Sequence, residues 1–172
     1  CQARKFADYE NDYSVFPTHV VTAIERDSGF GGEGDVLVRE YDYGDASYDP
    51  VETEMRGFRW VVERDVGRGR RTEIEYEQPA DVYDEAQRAA VRYFKGKQRR
   101  VRVVDLANNR TLSETAFTWR AAPAGPRMQV NLQSRTTTAW GTAGTSWQTV
   151  QANYTYDAYN NVTSVTETDP QD

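Results

Sequence analysis

Cysteine is nearly missing. The 172 residues hold one, Cys1, so no intrachain disulfide can form and no thiolate set can hold a metal. Histidine is as scarce: His19 is the sole imidazole, which removes the usual Cys/His metal centres by count and leaves a Ser-His-Asp or Cys-His arrangement one place to be built. His19 lies inside a predicted strand beside Val20 and Val21, where a histidine bonded to a neighbour is commoner than a catalytic one. Cations are outnumbered, 21 Lys and Arg against 27 Asp and Glu. A net charge of -6 argues against a nucleic-acid backbone as partner, because phosphate binding needs clustered cations to displace counterions. The basic cluster Arg68, Arg70 and Arg71 is answered at once by Glu73, Glu75 and Glu77. No apolar run approaches the roughly 20 residues of a membrane-spanning helix, so no membrane span is expected. Nor does the chain begin with Met. Cys1 reads either as a lipid-modified residue left by signal-peptide cleavage or, more plainly, as the start of a piece cut from a longer polypeptide.

What is there is aromatic. Eleven Tyr, six Phe and four Trp stand in a chain that is only 38% hydrophobic, a mixture unlike the aromatic-poor profile of disorder. The length suits one domain or one continuous piece of something larger. Residues 1–17 show no clear period and read as an irregular lead-in ending at Pro17. Residues 18–172 read as a single β-rich module. Around Arg56 to Asp65, Phe58, Trp60 and Val62 fall on one side of an extended chain while Arg59, Glu63 and Asp65 fall largely on the other, the alternation of a half-buried strand. Val36 to Tyr43 reads as its partner, with Gly44 to Pro50 as the turn between them.

The same pattern recurs. His19 to Ile24 is β-rich and stops at Asp27-Ser28-Gly29. Ile74 and Tyr76 alternate with Glu73, Glu75 and Glu77, three carboxylates about 7 Å apart at a rise of ~3.3 Å per residue. That run lacks the tight ligand loop of a calcium hand, and it reads as a solvated face that discourages edge-to-edge pairing. Arg100 and Arg102 alternate with Val101 and Val103; Thr111 to Trp119 follows a turn at Leu106 to Arg110, where Asn suits positive φ. Ala121 to Pro126 is the best internal linker. Met128, Val130 and Leu132 alternate with Gln129, Asn131 and Gln133 in a strand that runs on to Trp140, and Val150, Ala152, Tyr154 and Tyr156 line its return. One helix breaks the series. An insertion at about 81–95 puts Val82, Ala86, Ala89, Ala90 and Tyr93 at helical spacing over about 82–94, with Asp81 or Asp84 as cap and Gly96 as stop.

Two glycine-rich stretches look like nucleotide loops and fail on context. Gly29 to Gly34 satisfies G-x-G-x-x-G but opens a strand, not the helix whose N-terminus would hold a pyrophosphate. Gly141 to Ser146 lacks the lysine of a P-loop. Both read as hairpin tips. Carboxylates such as Asp49, Glu52 and Glu54 could in principle serve a glycosidase, yet nothing marks one pair. Asn109, Asn153 and Asn161 match the N-glycosylation pattern, a weak signal in a chain rich in Asn and Thr. No residue is singled out as catalytic, cofactor-binding or metal-ligating, no cofactor is expected, and the chain does not read as an enzyme.

Two motifs carry more than periodicity. Tyr156-Asp157-Ala158-Tyr159-Asn160-Asn161-Val162-Thr163, within the hairpin 147–168, resembles the YD repeat of Rhs-type proteins, roughly Tyr-Asp-x-x-Gly-Asn-apolar-Thr, with Asn160 in place of Gly. Asn is the next most tolerant residue for a left-handed turn. Phe16-Pro17, Val20-Val21, Tyr41-Asp42-Tyr43, Tyr48-Asp49 and Glu52 to Phe58 resemble a segment of the B subunits of insecticidal toxin complexes and of Salmonella virulence plasmid B proteins. There Thr53 and Met55 replace the usual Arg and Phe, Arg59 stands where Gly is common, and the Arg56-Gly57-Phe58 core is intact. The likeness runs from about Phe16 onward, with Asp84 to Phe94 its least typical part.

The resemblance implies a region of a large β-shell, beside an upstream β-propeller, that encloses a toxic C-terminal polypeptide until delivery. It further implies partnership with the rest of that shell, the enclosed polypeptide and other toxin-complex subunits. The implied setting is a secreted or cell-surface bacterial virulence protein, assembled in the cytoplasm before export. The residues themselves lead to a mainly all-β fold, a curved antiparallel sheet of about eight to ten strands made of successive hairpins with one short helix. The other open reading is an extracellular β-domain that binds glycan or a host protein through Tyr41, Tyr43, Tyr48, Trp60, Trp140 and Trp147.

Overall fold

The computed structural model describes residues 2–3, 6–9, 18–27, 29, 36–49, 53–78, 92–124, 127–141 and 146–169. Period-two sequence becomes strand almost throughout. In chain order the strands are β1 (Gln2–Ala3), β2 (Phe6–Tyr9), β3 (Thr18–Val21), β4 (Ala23–Asp27), β5 (Val36–Asp49) and β6 (Glu54–Asp65). They continue with β7 (Arg70–Tyr76), β8 (Gln98–Asp105), β9 (Arg110–Ala124), β10 (Arg127–Trp140), β11 (Ser146–Tyr156) and β12 (Val162–Thr168). Ten of them form one antiparallel sheet in the order β1-β4-β5-β6-β7-β8-β9-β10-β11-β12, and β2 pairs with β3 apart from it. From β4 onward every neighbour in space is the neighbour in sequence. The sheet is curved and open, with β1 and β12 at its two edges.

Register sorts the side chains into two faces, because residues directly opposite on paired strands share a face. Tyr43, Val61, Ile74, Val101, Thr115, Thr137 and Val150 form one row across β5 to β11. This is the apolar face. Asp42, Val62, Glu73, Arg102, Glu114, Thr138 and Thr149 form a row on the other side, and Gly44, Trp60, Glu75, Arg100, Ala116, Thr136, Gln151 and Thr168 form the next. This is the polar face, charged over β5 to β9 and rich in threonine beyond.

Most side chains on both faces, among the described residues, stay partly open to solvent. Among the described residues the buried apolar set is Val20, Ala46, Phe94, Val104 and Ala152, and no large side chain is fully enclosed. The accessible surface is 11697 Å², where a compact chain of 19.6 kDa would show about 8,600 Å². A single-layer sheet, open on its faces, contributes to that excess. The 3-10 turn at Arg92–Phe94, before β8, packs on β9 and β10 with Phe94 buried. Gly96 closes it at φ 71 with Lys97 N donating to Phe94 O at 2.8 Å. The rest of the expected helix at 82–94 lies outside the described residues. No helix among those described is long and apolar enough to cross a membrane.

Four expectations change. The lead-in 1–17 is not wholly irregular: Gln2 and Ala3 pair with Glu25 and Ile24, and Phe6 to Tyr9 pair with Val21 to Thr18. Strands of two and four residues are too short to print a period. Gly44 to Pro50 is not the turn, since β5 runs on to Asp49 and the chain reverses beyond it. Its turn-forming residues serve a strand irregularity instead, with Asp45 at φ 51 and a register shift between Ser47 and Tyr48. Ala121 to Pro126 is not a linker: Ala121 to Ala124 pair directly with Val130 to Arg127, so small residues and proline mark a hairpin tip inside one continuous sheet. Finally, β7 is an interior strand between β6 and β8, so its glutamates guard no edge.

Candidate functional site

Each residue of Arg56-Gly57-Phe58 has a separate physical task. The Arg56 guanidinium is buried, its side chain 2% exposed. Its Nη1 lies 3.3 Å from Asp49 Oδ2, and its Nη2 donates to Arg92 O at 2.5 Å. One side chain thus fastens β5, β6 and the turn before β8. Gly57 sits at φ 93, a left-handed conformation that a Cβ disfavours. Phe58 packs on Tyr43 with ring centroids 4.9 Å apart, and Tyr43 in turn donates its hydroxyl to Val21 O at 2.9 Å. Burial, and then the neighbouring Tyr41 and Tyr76, raise the Tyr43 phenol above its ordinary value, so it stays a donor.

The YD-like turn is built around one carboxylate. Asp157 Oδ1 accepts from the Tyr159 and Asn161 amides, each at 2.8 Å, and Oδ2 accepts from Asn161 Nδ2 at 3.0 Å. Asn160 takes the left-handed position at φ 72 that the repeat usually gives to glycine. Tyr156 donates its hydroxyl to Leu132 O at 2.8 Å, tying the end of β11 to neighbouring β10. The same device recurs in three other turns. Asp27 accepts from the Gly29 amide, Asp65 from Arg68 and Asp105 from Ala107. Neighbouring tips are joined by the main chain, with Leu106 N donating to Gly69 O at 2.9 Å.

Hydrogen bonds from the Asn161 side chain first, then from the Asn161 and Tyr159 amides, hold the Asp157 carboxyl below its ordinary 3.8. A carboxylate lowered in the folded chain stabilises the turn at pH above that ordinary value and loses the contribution as pH falls through the lowered one. The Tyr159 and Asn161 amide resonances should therefore move together with the Asp157 carboxyl in an NMR titration, below pH 3.8. Titration of Asp157 at or above the ordinary value would refute this account of the turn.

The polar face carries a cross-strand ion-pair network. Glu73 accepts from Arg102 Nε at 2.7 Å and also meets Arg102 Nη2 and, at 2.8 Å, Arg71. Glu75 lies 3.1 Å from Arg100 and 3.8 Å from Arg99, and Arg100 reaches Glu114 at 3.9 Å. Here the sequence did hold a signal. Glu73 and Glu75 on one strand and Arg100 and Arg102 on the next share a spacing of two, and antiparallel pairing sets them opposite. Beside the network Trp60, Val62, Glu73, Ile74, Glu75 and Arg100 line an open depression of about 390 Å³. A second, of about 320 Å³, is lined by Arg110, Thr111, Glu114 and Trp140.

The other candidates do not converge. His19 is exposed in β3, opposite Asp8 in the register. Asp49 is committed to Arg56, Glu54 pairs with Lys95 at 2.8 Å, and Glu52 lies outside the described residues. Among the described residues no three His, Cys, Asp or Glu gather as a metal set. Of the proposed aromatic surface, Tyr41, Tyr43, Tyr48, Trp60 and Trp140 are half-buried, and the Trp147 side chain is outside the description. Tyr41 and Tyr43 belong to a strand whose register splits them from Trp60, so those rings do not form one patch.

Comparison with solved structures places this architecture. The crystal structure of TcdB2-TccC3 superimposes on 91% of the chain with a TM-score of 0.73 and 16% identity. The same complex without its hypervariable C-terminal region matches 91% at 0.73 with 15% identity. The Photorhabdus luminescens Tc holotoxin pore matches 87% at 0.71, also with 15% identity. The likeness is one of fold. The chain spans 10% of the length of each of those chains. No protein-family model matches it, and no curated protein sequence does.

Proposed function

We propose that this chain is a wall segment of a toxin-complex-type shell, one that helps enclose a toxic C-terminal polypeptide and deliver it, and that performs no reaction itself. The observation that carries the reading is the ten-stranded meander with both faces open and far more surface than a compact chain of its mass. Such a sheet does little alone. Set edge to edge with further hairpins, it becomes a wall. The Tc toxin neighbours add support at the level of fold. Its partners would be the remainder of the shell, an upstream propeller, the enclosed polypeptide and other toxin-complex subunits. Its setting would be a bacterial protein assembled in the cytoplasm and then secreted or displayed.

Limited proteolysis of the longer polypeptide that carries the chain tests this. The expected result is that residues 18–168 stay within one large resistant core together with the hairpins that flank them. Release of the same residues as a freely hinged fragment would overturn the proposal.

A further inference from the structure

The depression over Trp60 owes its floor to a glycine. Trp60 on β6 is directly opposite Gly44 on β5. A Cβ at Gly44 would lie 1.9 Å from two indole carbons and 2.4 Å from Nε1, so the ring covers the β5 backbone where a side chain would otherwise stand. One indole face is thus spent against the sheet. The ring also lines the depression with Val62 on its own strand, beside Glu73 and Glu75 of β7 and Arg100 of β8 on the same face.

The charged lining decides the ligand class. Its two carboxylates are already neutralised, Glu73 by Arg71 and Arg102, and Glu75 by Arg100 and Arg99. An ammonium ligand would have to displace a guanidinium, and an anion would have to displace a carboxylate. A neutral polyhydroxyl ligand disturbs neither. Ionised carboxylates keep free lone pairs for hydroxyl donors, and Arg100 keeps free N–H groups for hydroxyl acceptors. An aromatic floor flanked by a few fixed polar groups is the usual make-up of a small-molecule site. The C–H face of a pyranose fits the indole while its equatorial hydroxyls meet the charged lining.

We propose that the Trp60 depression is a saccharide subsite that takes a neutral pyranose, with Trp60 as platform and Glu73, Glu75 and Arg100 as hydroxyl partners. The depression is open to solvent, which suits a chain of sugars. Trp140, in the second depression, stands four strands away across the sheet, about 19 Å at ~4.8 Å per strand, and four residues along β10 from Thr136 of the Trp60 row; Arg100 of the first depression pairs with Glu114 of the second. An oligosaccharide anchored on Trp60 can run diagonally over Arg100 and Glu114 toward Trp140. The subsite stands independently of the wall proposal, since proteolysis reads one and sugar binding the other.

The test is fluorine NMR on the chain carrying 5-fluorotryptophan, whose four tryptophans give four signals, with the Trp60 signal assigned from Trp60→Phe. The probes are cellotetraose, chitotetraose and maltotetraose, against tetralysine and a heparin tetrasaccharide. At least one neutral tetraose should shift the Trp60 signal at about millimolar concentration, with the charged probes silent. Loss of the indole in Trp60→Ala should weaken binding about tenfold or more, read by isothermal calorimetry, and Glu75→Gln by about threefold. Should Trp60→Ala fail to fold, Glu75→Gln and Arg100→Gln decide in its place. Silence of the Trp60 signal with all three neutral tetraoses overturns the subsite, as does an equal shift with tetralysine or the heparin fragment.

Discussion

Replacing Arg56 with alanine lowers the unfolding free energy of the chain by about 3–5 kcal/mol, the cost of stranding one member of a buried ion pair. Asp49, itself buried, would lose the Arg56 guanidinium, and Arg92 O would lose a charged donor. Lysine does not rescue, because a single ammonium lacks the planar fork that lets Arg56 serve the carboxylate and the carbonyl on two separate nitrogens. Asp49→Leu combined with Arg56→Met recovers part of the loss, since neither member of the pair is then left behind as a buried charge. Urea denaturation followed by circular dichroism measures all four chains. A loss below about 1 kcal/mol for Arg56→Ala, the range of an exposed pair, would show that the latch is ornamental.

Gly44→Ala costs about 1–3 kcal/mol, the range for forcing extra volume into a filled space. The backbone of Gly44 is not the reason. The reason is the indole above it, which a methyl group would meet at 1.9 Å. The signature is therefore coupling. In Trp60→Ala the space is vacated and Gly44→Ala becomes nearly neutral, so the double mutant falls short of the sum by about 1 kcal/mol or more, as touching residues do. Full additivity would mean that the indole does not rest on Gly44.

Strands were legible wherever the two faces of the sheet differ. Arg100 and Arg102 against Val101 and Val103 give β8 at sight, because the charged pair faces Glu75 and Glu73 while the valines join the apolar row. The Asp157 turn was legible because Asn160 can take a left-handed conformation and Asp157 can accept from amides two and four residues on. What failed were inferences that needed register. Glu73 and Glu75 look like an edge defence until β8 is laid beside them and each glutamate meets an arginine. Gly44 looks like a turn until Trp60 is placed across from it. Arg56 looks like one more surface arginine, since its partners Asp49 and Arg92 lie 7 and 36 residues away in the sequence. Ala121 to Pro126 has the composition of a linker, and the pairing of β9 with β10 makes it a tip.

The wall account is tested most directly by an electron cryo-microscopy map of the longer polypeptide with this chain in place. It predicts β12 hydrogen-bonded to a following hairpin and the sheet curving on as one layer around a hollow that holds density for a second polypeptide stretch. A map in which the apolar row of Tyr43, Val61, Ile74 and Val101 is sealed against another sheet, with no hollow behind it, would contradict the account.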